Sequence, residues 1–374
     1  MTTRRQALGM LSAASTLPLL SRADAAPRLS RKRYDGLLVI DAKCSLKSDP
    51  SPPGAGFTPD LLAAARESGL TLISQTHGGS GTMQELEASV ARTDANISEH
   101  PDELIHILST ADLQQAKRSG RFGIAYDVQG TNELAGDASR VARLKELGIR
   151  TVQLTYNLHT AAGDGCMVSN DGGITQFGRD VIAEVNRLRL QIDFSHVGHR
   201  TAADGVAVST RPPAITHTGC YDLTRHPRNI PDTLLRAVAD KGGVVGIYFM
   251  CYLVEKGQEH KEDVLRHLEH AIQVCGEDHV GIGTDGIVPA LVLDEAYRHY
   301  WRVEVYEPRV KRGVVAPNEG ADIFNYAPEY NPPDRYRLLG EDLLQRGHSR
   351  ARVEKILGGN FLRAFEAIEN ARVR

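Results

Sequence analysis

The chain has 374 residues, 41% hydrophobic and 24% charged, with a formal net charge of -3. That is ordinary globular usage and excludes a disordered, collagenous or coiled-coil chain; the near-neutral balance gives no basic field for nucleic acid or anionic lipid. Five cysteines over this length are too few for a disulfide scaffold, and the odd count leaves at least one thiol unpaired within the chain.

Residues 1–26 read as an export leader: Thr3-Arg4-Arg5 is a charged start, 8–20 an apolar stretch, and Ala23-Asp24-Ala25 a small-x-small cleavage site. The adjacent Arg4 and Arg5 resemble a twin-arginine signal, the route that exports folded proteins, and predict a periplasmic mature protein starting near Ala26. The apolar stretch is about a dozen residues, short of the roughly twenty that span a bilayer, so no stable membrane span is expected.

From there short β-branched runs alternate with helical patterns. Strands are predicted at 37–40, 70–74, 105–108, 122–126, 151–154, 191–194, 214–216, 244–249 and 280–283, and helices at 60–67, 111–119, 138–147, 177–188, 232–240 and 262–275. Such alternation implies a parallel sheet with crossover helices, and about eight units fit an α/β fold of the (β/α)8 TIM-barrel kind over residues 27–374. The run at 105–108 is one too many for the ring and is left out of it. A doubly wound open sheet is the alternative, weakened because no strand is followed by GxGxxG or a phosphate-binding P-loop. The segment at about 290–335, rich in Tyr, Pro and charge and holding the single Trp301, reads as an irregular insertion. It covers the barrel mouth in part or forms a contact between two copies in a homodimer.

Strand after strand ends in residues that bond or ligate. Asp41 and Lys43 follow the first, Gln75 and His77 the second, and Asp127 and Gln129 come after the run at 122–126. Further on stand Tyr156-Asn157, Asp193-Phe-Ser195-His196, His217 and Asp285. In a (β/α)8 barrel these ends meet at one mouth. Imidazoles on successive strands, about 5 Å apart, are within reach of one metal ion, which selects His196 and His217. A carboxylate at Asp285 is placed to bind metal or to move a proton at bound water.

Several blocks resemble the membrane dipeptidase (renal dipeptidase, M19) family, within the wider metal-dependent amidohydrolase-like barrels. They are Gln153-Leu-Thr-Tyr-Asn157, Phe177-Gly-Arg179, Asp193-Phe-Ser-His196, Thr216-His217, His226-Pro-Arg228-Asn229, Gly281-Ile-Gly283 with Asp285-Gly286, and Gly358-Gly-Asn360. The resemblance implies a barrel with a two-zinc site that hydrolyses dipeptides, including those with a D-residue at the C-terminal side. It implies metal ligation by His196 and His217, a substrate-carboxylate clamp at Arg228 with Asn229 beside it, and proton transfer by Asp285.

The departures fall together. Where the family has His-x-Asp this chain reads Lys43-Cys44-Ser45; its metal-bridging Glu is Gln129; its carbonyl-holding His is Tyr156. A charged lysine cannot ligate zinc, and a neutral amide bridges two ions poorly. The expectation is therefore one zinc, held by His196 and His217 with a third ligand among Gln129, Asp285 and a cysteine, and Lys43 as a fixed positive charge beside the reacting carbonyl. The segments Gln153–Asn157 and 163–166 (Gly-Asp-Gly-Cys) resemble a divergent subgroup, which favours altered chemistry or substrate over decay. Cys166 is a zinc ligand, a nucleophile or an ordinary loop residue; Cys251 and Cys275 read as packing residues.

The function expected is a metal-dependent hydrolase of amide bonds in small dipeptide-like substrates, with Asp285, Lys43 and Tyr156 as catalytic residues and Arg228, Asn229 and Tyr156 lining the substrate. The alternatives are a catalytically silent barrel that binds a small ligand, and a lyase or isomerase on the same scaffold.

Overall fold

Short runs buried on both faces pair in parallel only if a crossover returns the chain each time to the same edge. The computed structural model describes residues 29–51 and 55–370, so the expected leader at 1–26 lies outside the described residues. The strands are β1 (Ile40–Asp41), β2 (Cys44–Ser45), β3 (Leu72–Gly78), β4 (Leu104–His106), β5 (Phe122–Val128), β6 (Ile149–Gln153), β7 (Gln191–Asp193), β8 (Ala214–Thr218), β9 (Val244–Ile247), β10 (Val280–Ile282) and β11 (Gly286–Ile287). Eight of them run in the order β1-β3-β5-β6-β7-β8-β9-β10, all parallel. The Ala42 N–H donates to the Ile282 carbonyl at 2.9 Å, which joins the first strand to the last. This is a (β/α)8 barrel, with helices such as Gln176–Arg187, Asp232–Asp240 and Lys261–Cys275 returning the chain outside the ring.

β4 lies on the flank of β5, Ile105 opposite Gly123, and stays outside the ring, as expected for the surplus run. Several elements differ from expectation, two of them informatively. The first strand begins three residues later than predicted, because Val39 donates its N–H to the Thr71 hydroxyl instead of to a neighbouring backbone. The longest helix, Met83–Glu99, is absent from the predicted set although its start is marked: Thr82 and Glu85 form a capping box, with the Thr82 N–H donating to Glu85 Oε2 at 2.7 Å.

Above the ring a small second sheet decides the site. The chain leaving β1 and the chain leaving β10 run side by side as β2 and β11, and the Asp285 N–H donates to the Lys43 carbonyl at 2.8 Å. Asp41 secures this seam, its carboxylate accepting from the Lys43 and Thr284 backbone N–H groups and from the Thr284 and Tyr336 hydroxyls. The 290–335 segment is more regular than expected: helix Glu295–Tyr300 continues through Trp301–Tyr306 into Glu307–Lys311. Tyr297, Trp301 and Phe324 give it a small core of its own.

Candidate metal centre at the barrel mouth

His196 follows β7, His217 lies in β8 and Asp285 follows β10, so adjacent strands β7 and β8 and the ring's last strand, one beyond β9, deliver them to one place. One ligand atom from each lies within 4.8 Å of the others, and His217 Nε2 stands 4.0 Å from Asp285 Oδ2. Two of the three are held in left-handed backbone, His196 at φ 63 and Asp285 at φ 58. Such strain in non-glycine residues persists only where surrounding structure imposes it, and it gathers at functional sites.

The hydrogen bonds around the imidazoles select their tautomers. His196 Nδ1 donates to the Asn157 side-chain oxygen at 2.6 Å, which leaves a lone pair on Nε2. That Nε2 is buried and has no partner among the described residues. At His217, Nδ1 meets the Thr216 hydroxyl at 2.8 Å, and that hydroxyl spends its hydrogen on Asp193 Oδ2 at 2.6 Å. Asp193 receives two backbone N–H and two hydroxyl donors and gives none, the pattern of an ionised carboxylate. The Thr216 oxygen therefore accepts from His217 Nδ1–H, and the second Nε2 lone pair faces the first. Burial, reinforced by the Arg228 charge, holds both imidazoles well below their ordinary pKa, so no proton competes for either lone pair at neutral pH. Burial also pushes Asp285 up to about 6, with Arg228 and Lys43 pulling the other way.

Two neutral imidazoles and a carboxylate match the donor set of a catalytic zinc with an open position. In a tetrahedral arrangement such ligand atoms stand about 3.3 Å apart, so the three atoms here must close by about 1 Å. They fit one ion. Gln129 lies beside them, its Nε2 3.4 Å from His217 Nε2. Its amide plane, turned over, brings the oxygen to the same spot.

The other expected residues divide. Arg228 is 1% exposed, lies 5.6 Å from the Tyr248 ring centroid, and keeps Nε and Nη1 buried without partners. A buried guanidinium with open donors is made for a planar anion. Asn229, expected to line the substrate, sits behind Arg228. Its amide donates to the Thr224 and Tyr252 carbonyls and accepts from the Tyr248 hydroxyl, so it is consumed in holding the loop behind Arg228. Tyr156 stacks on His196, centroids 4.2 Å apart; burial and the Asp285 charge raise its pKa, leaving a neutral phenol that donates. Lys43 lines the cleft with Gln129 and Asp285, and its ammonium pairs with Asp127.

Cys166 stays outside the ligand group. Its thiol donates to the Asn157 side-chain oxygen at 3.4 Å and burial pushes it up to about 11, so at neutral pH it is a thiol. All five cysteines are free. His159 pairs with Asp164, and His77 bonds Ser89 and packs on Tyr126 away from the centre. Sequence reasoning passed over Arg309, which lies in the 290–335 segment, grips Glu319 at 2.7 Å and opposes the rise at Tyr156. No motif marks it. Asn157 and Thr216, quoted only as neighbours in the motifs, turn out to orient the two imidazoles.

Residues 69–291, more than half of the chain, match the family model described as membrane dipeptidase (peptidase family M19). A dipeptidase of Clonostachys rogersoniana is 27% identical over 280 residues, covering 74% of this chain and 63% of its own length. An uncharacterized dipeptidase of Schizosaccharomyces pombe is 33% identical over 176 residues, 45% of this chain and 42% of its own. This chain thus spans less than two thirds of either relative. Among solved structures, an amidohydrolase from Pseudomonas aeruginosa superposes with a TM-score of 0.77 at 27% identity, covering 91% of this chain and 99% of that one.

Proposed function

The chain belongs to the membrane dipeptidase family, and from that footing we propose that it is a metal-dependent hydrolase of dipeptides and related small amino-acid amides. The observation that carries the reading is the convergence of two Nε2 lone pairs and the Asp285 carboxylate on one point, with the unpartnered Arg228 guanidinium close by. His196, His217 and Asp285 hold the ion, with Gln129 beside them, and we take the ion to be zinc. Bound there, zinc supplies an acidified water and a Lewis acid for the scissile carbonyl.

The chain's own residues do the rest. Arg228 grips the substrate's terminal carboxylate with its unpartnered donors and so aligns the amide over the imidazoles. Tyr156 donates its hydroxyl to the carbonyl oxygen as charge develops there. Asp285 accepts the proton of the attacking water and passes it to the leaving amine. The paired arginines at positions 4 and 5 support export of the folded protein to the periplasm. Among the described residues no helix is long and apolar enough to cross a membrane.

Metal analysis of the purified protein, with turnover measured against a dipeptide panel, tests the reading. Wild type is expected to retain zinc and hydrolyse dipeptides, and His217→Ala to lose both while keeping its circular dichroism spectrum. A metal-free wild type without turnover under zinc-replete conditions sinks the proposal; unchanged metal content in the variant removes His217 from the ligand set.

A further inference from the structure

Positions 43, 45 and 129 at the mouth carry no anionic or imidazole donor. The family resemblance puts a second ion between the position-43 and position-45 side chains and a bridging carboxylate at 129, and Lys43, Ser45 and Gln129 offer none of those anionic or imidazole donors. The residues present do not fit a second ion.

What they form instead is a closed ion pair. Lys43 Nζ lies 2.6 Å from Asp127 Oδ1, the two side chains 7% and 4% exposed, and donates also to the Thr76 hydroxyl. Asp127 accepts further bonds in turn: Thr76 donates to Oδ1 at 3.0 Å and Ser74 to Oδ2 at 2.8 Å. Counted over positions 43, 45 and 129, the family pattern of an imidazole, two carboxylates and a divalent ion sums to zero, whereas Lys43, Ser45 and Gln129 sum to +1, a charge that Asp127 offsets. An ammonium carries three N–H donors; among the described residues two have partners, and Lys43 borders the cleft alongside Gln129 and Asp285.

We infer that the Lys43–Asp127 ion pair replaces the second metal ion, so that this chain takes a single divalent cation and carries its other positive charge permanently on Lys43. The inference rests on the metal-hydrolase reading above and deepens it. The third Lys43 N–H is a fixed donor to a substrate oxygen where a two-metal site would offer an exchangeable ligand position. Because that donor is covalently part of the chain, chelators remove the ion at the imidazoles and leave the lysine charge in place.

Elemental analysis of wild type purified from zinc-replete medium, with anomalous scattering at the zinc edge, tests this. One equivalent per chain, with a peak between His196 and His217, is expected. Two equivalents overturn the inference and leave the hydrolase reading standing; none overturns both. A triple variant carrying Lys43→His, Ser45→Asp and Gln129→Glu, folded by circular dichroism, is expected to rise to two equivalents. A folded triple variant that stays at one shows that Lys43 is not what excludes the second ion, and likewise overturns the inference. Should the triple variant not fold, the wild-type count alone decides.

Discussion

Arg228 concentrates the site's selectivity in one side chain, since it is fully buried and two of its donors are unused. A lysine there keeps the charge and loses the planar fork. Arg228→Lys is therefore expected to raise KM for dipeptides about 10- to 100-fold, the loss of a charge-assisted hydrogen bond of about 1.5–3 kcal/mol. A C-terminally amidated dipeptide, which lacks the carboxylate, is expected to be cleaved slowly by wild type and variant alike. Steady-state kinetics on the two substrates checks this, and an equal loss on both shows that the arginine only supports the loop. Residues with a strong chemical signature were legible: His196, His217, Asp285 and Arg228 stand at strand ends or in dense motifs. The hydrogen bonds that occupy the Asn229 amide were not legible, because adjacency to Arg228 in sequence says nothing about where an amide points. Asp127 was noted only as a strand-end residue; its pairing with Lys43 depends on the register of β1 beside β3 and β3 beside β5, which no single segment encodes.

The element that sets Gln129 is a crossing of two loops after β3 and β5. Gly79 and Gly130, at φ 134 and φ 156, lie so close that a Cβ on Gly79 would stand 2.3 Å from the Gln129 carbonyl carbon. Glu133 ties the same crossing, accepting from the Gly79 N–H at 2.5 Å and the Gly81 N–H at 3.2 Å. Gly79→Ala meets both a steric clash and an unfavourable φ, and is expected to cost about 3 kcal/mol. Urea denaturation measures it, and a change below about 0.5 kcal/mol would mean that the loops part without strain. Elements with regular periodicity were readable, down to the surplus strand at β4. The loop crossing at Gly79 was not readable, because a close approach between backbones distant in sequence leaves no periodic trace. Met83–Glu99 had a marked start at Thr82 that was passed over, since its apolar positions Leu86, Val90 and Ile97 are sparse.

For the molecule as a whole, buried imidazoles govern its response to acid. Burial holds His77 and His226 at about 4 and His267 at about 3. Once unfolded, each takes a proton below its ordinary value near 6.5, so the unfolded chain binds more protons, and stability present above 6.5 is lost as pH falls towards 4. Each such group steepens the loss by up to about 1.4 kcal/mol per pH unit. Thermal melts from pH 7 to 4 are expected to show this, with His77→Asn flattening the slope by about one proton; an unaltered slope would assign the acid response to the carboxylates. The closed barrel was foreseeable from alternation and the count of about eight units; the residues that seal its seam were not. Asp41 is joined to Thr284 and Tyr336 across 243 and 295 positions of chain. The earliest stave to leave the ribosome thus shares its seam with one of the last, and in the interval a bare strand edge is presented to every other nascent chain. Synthesis of this protein should accordingly lean on holding chaperones, and slowing translation between codons 41 and 284 should raise aggregation more than slowing it beyond 336.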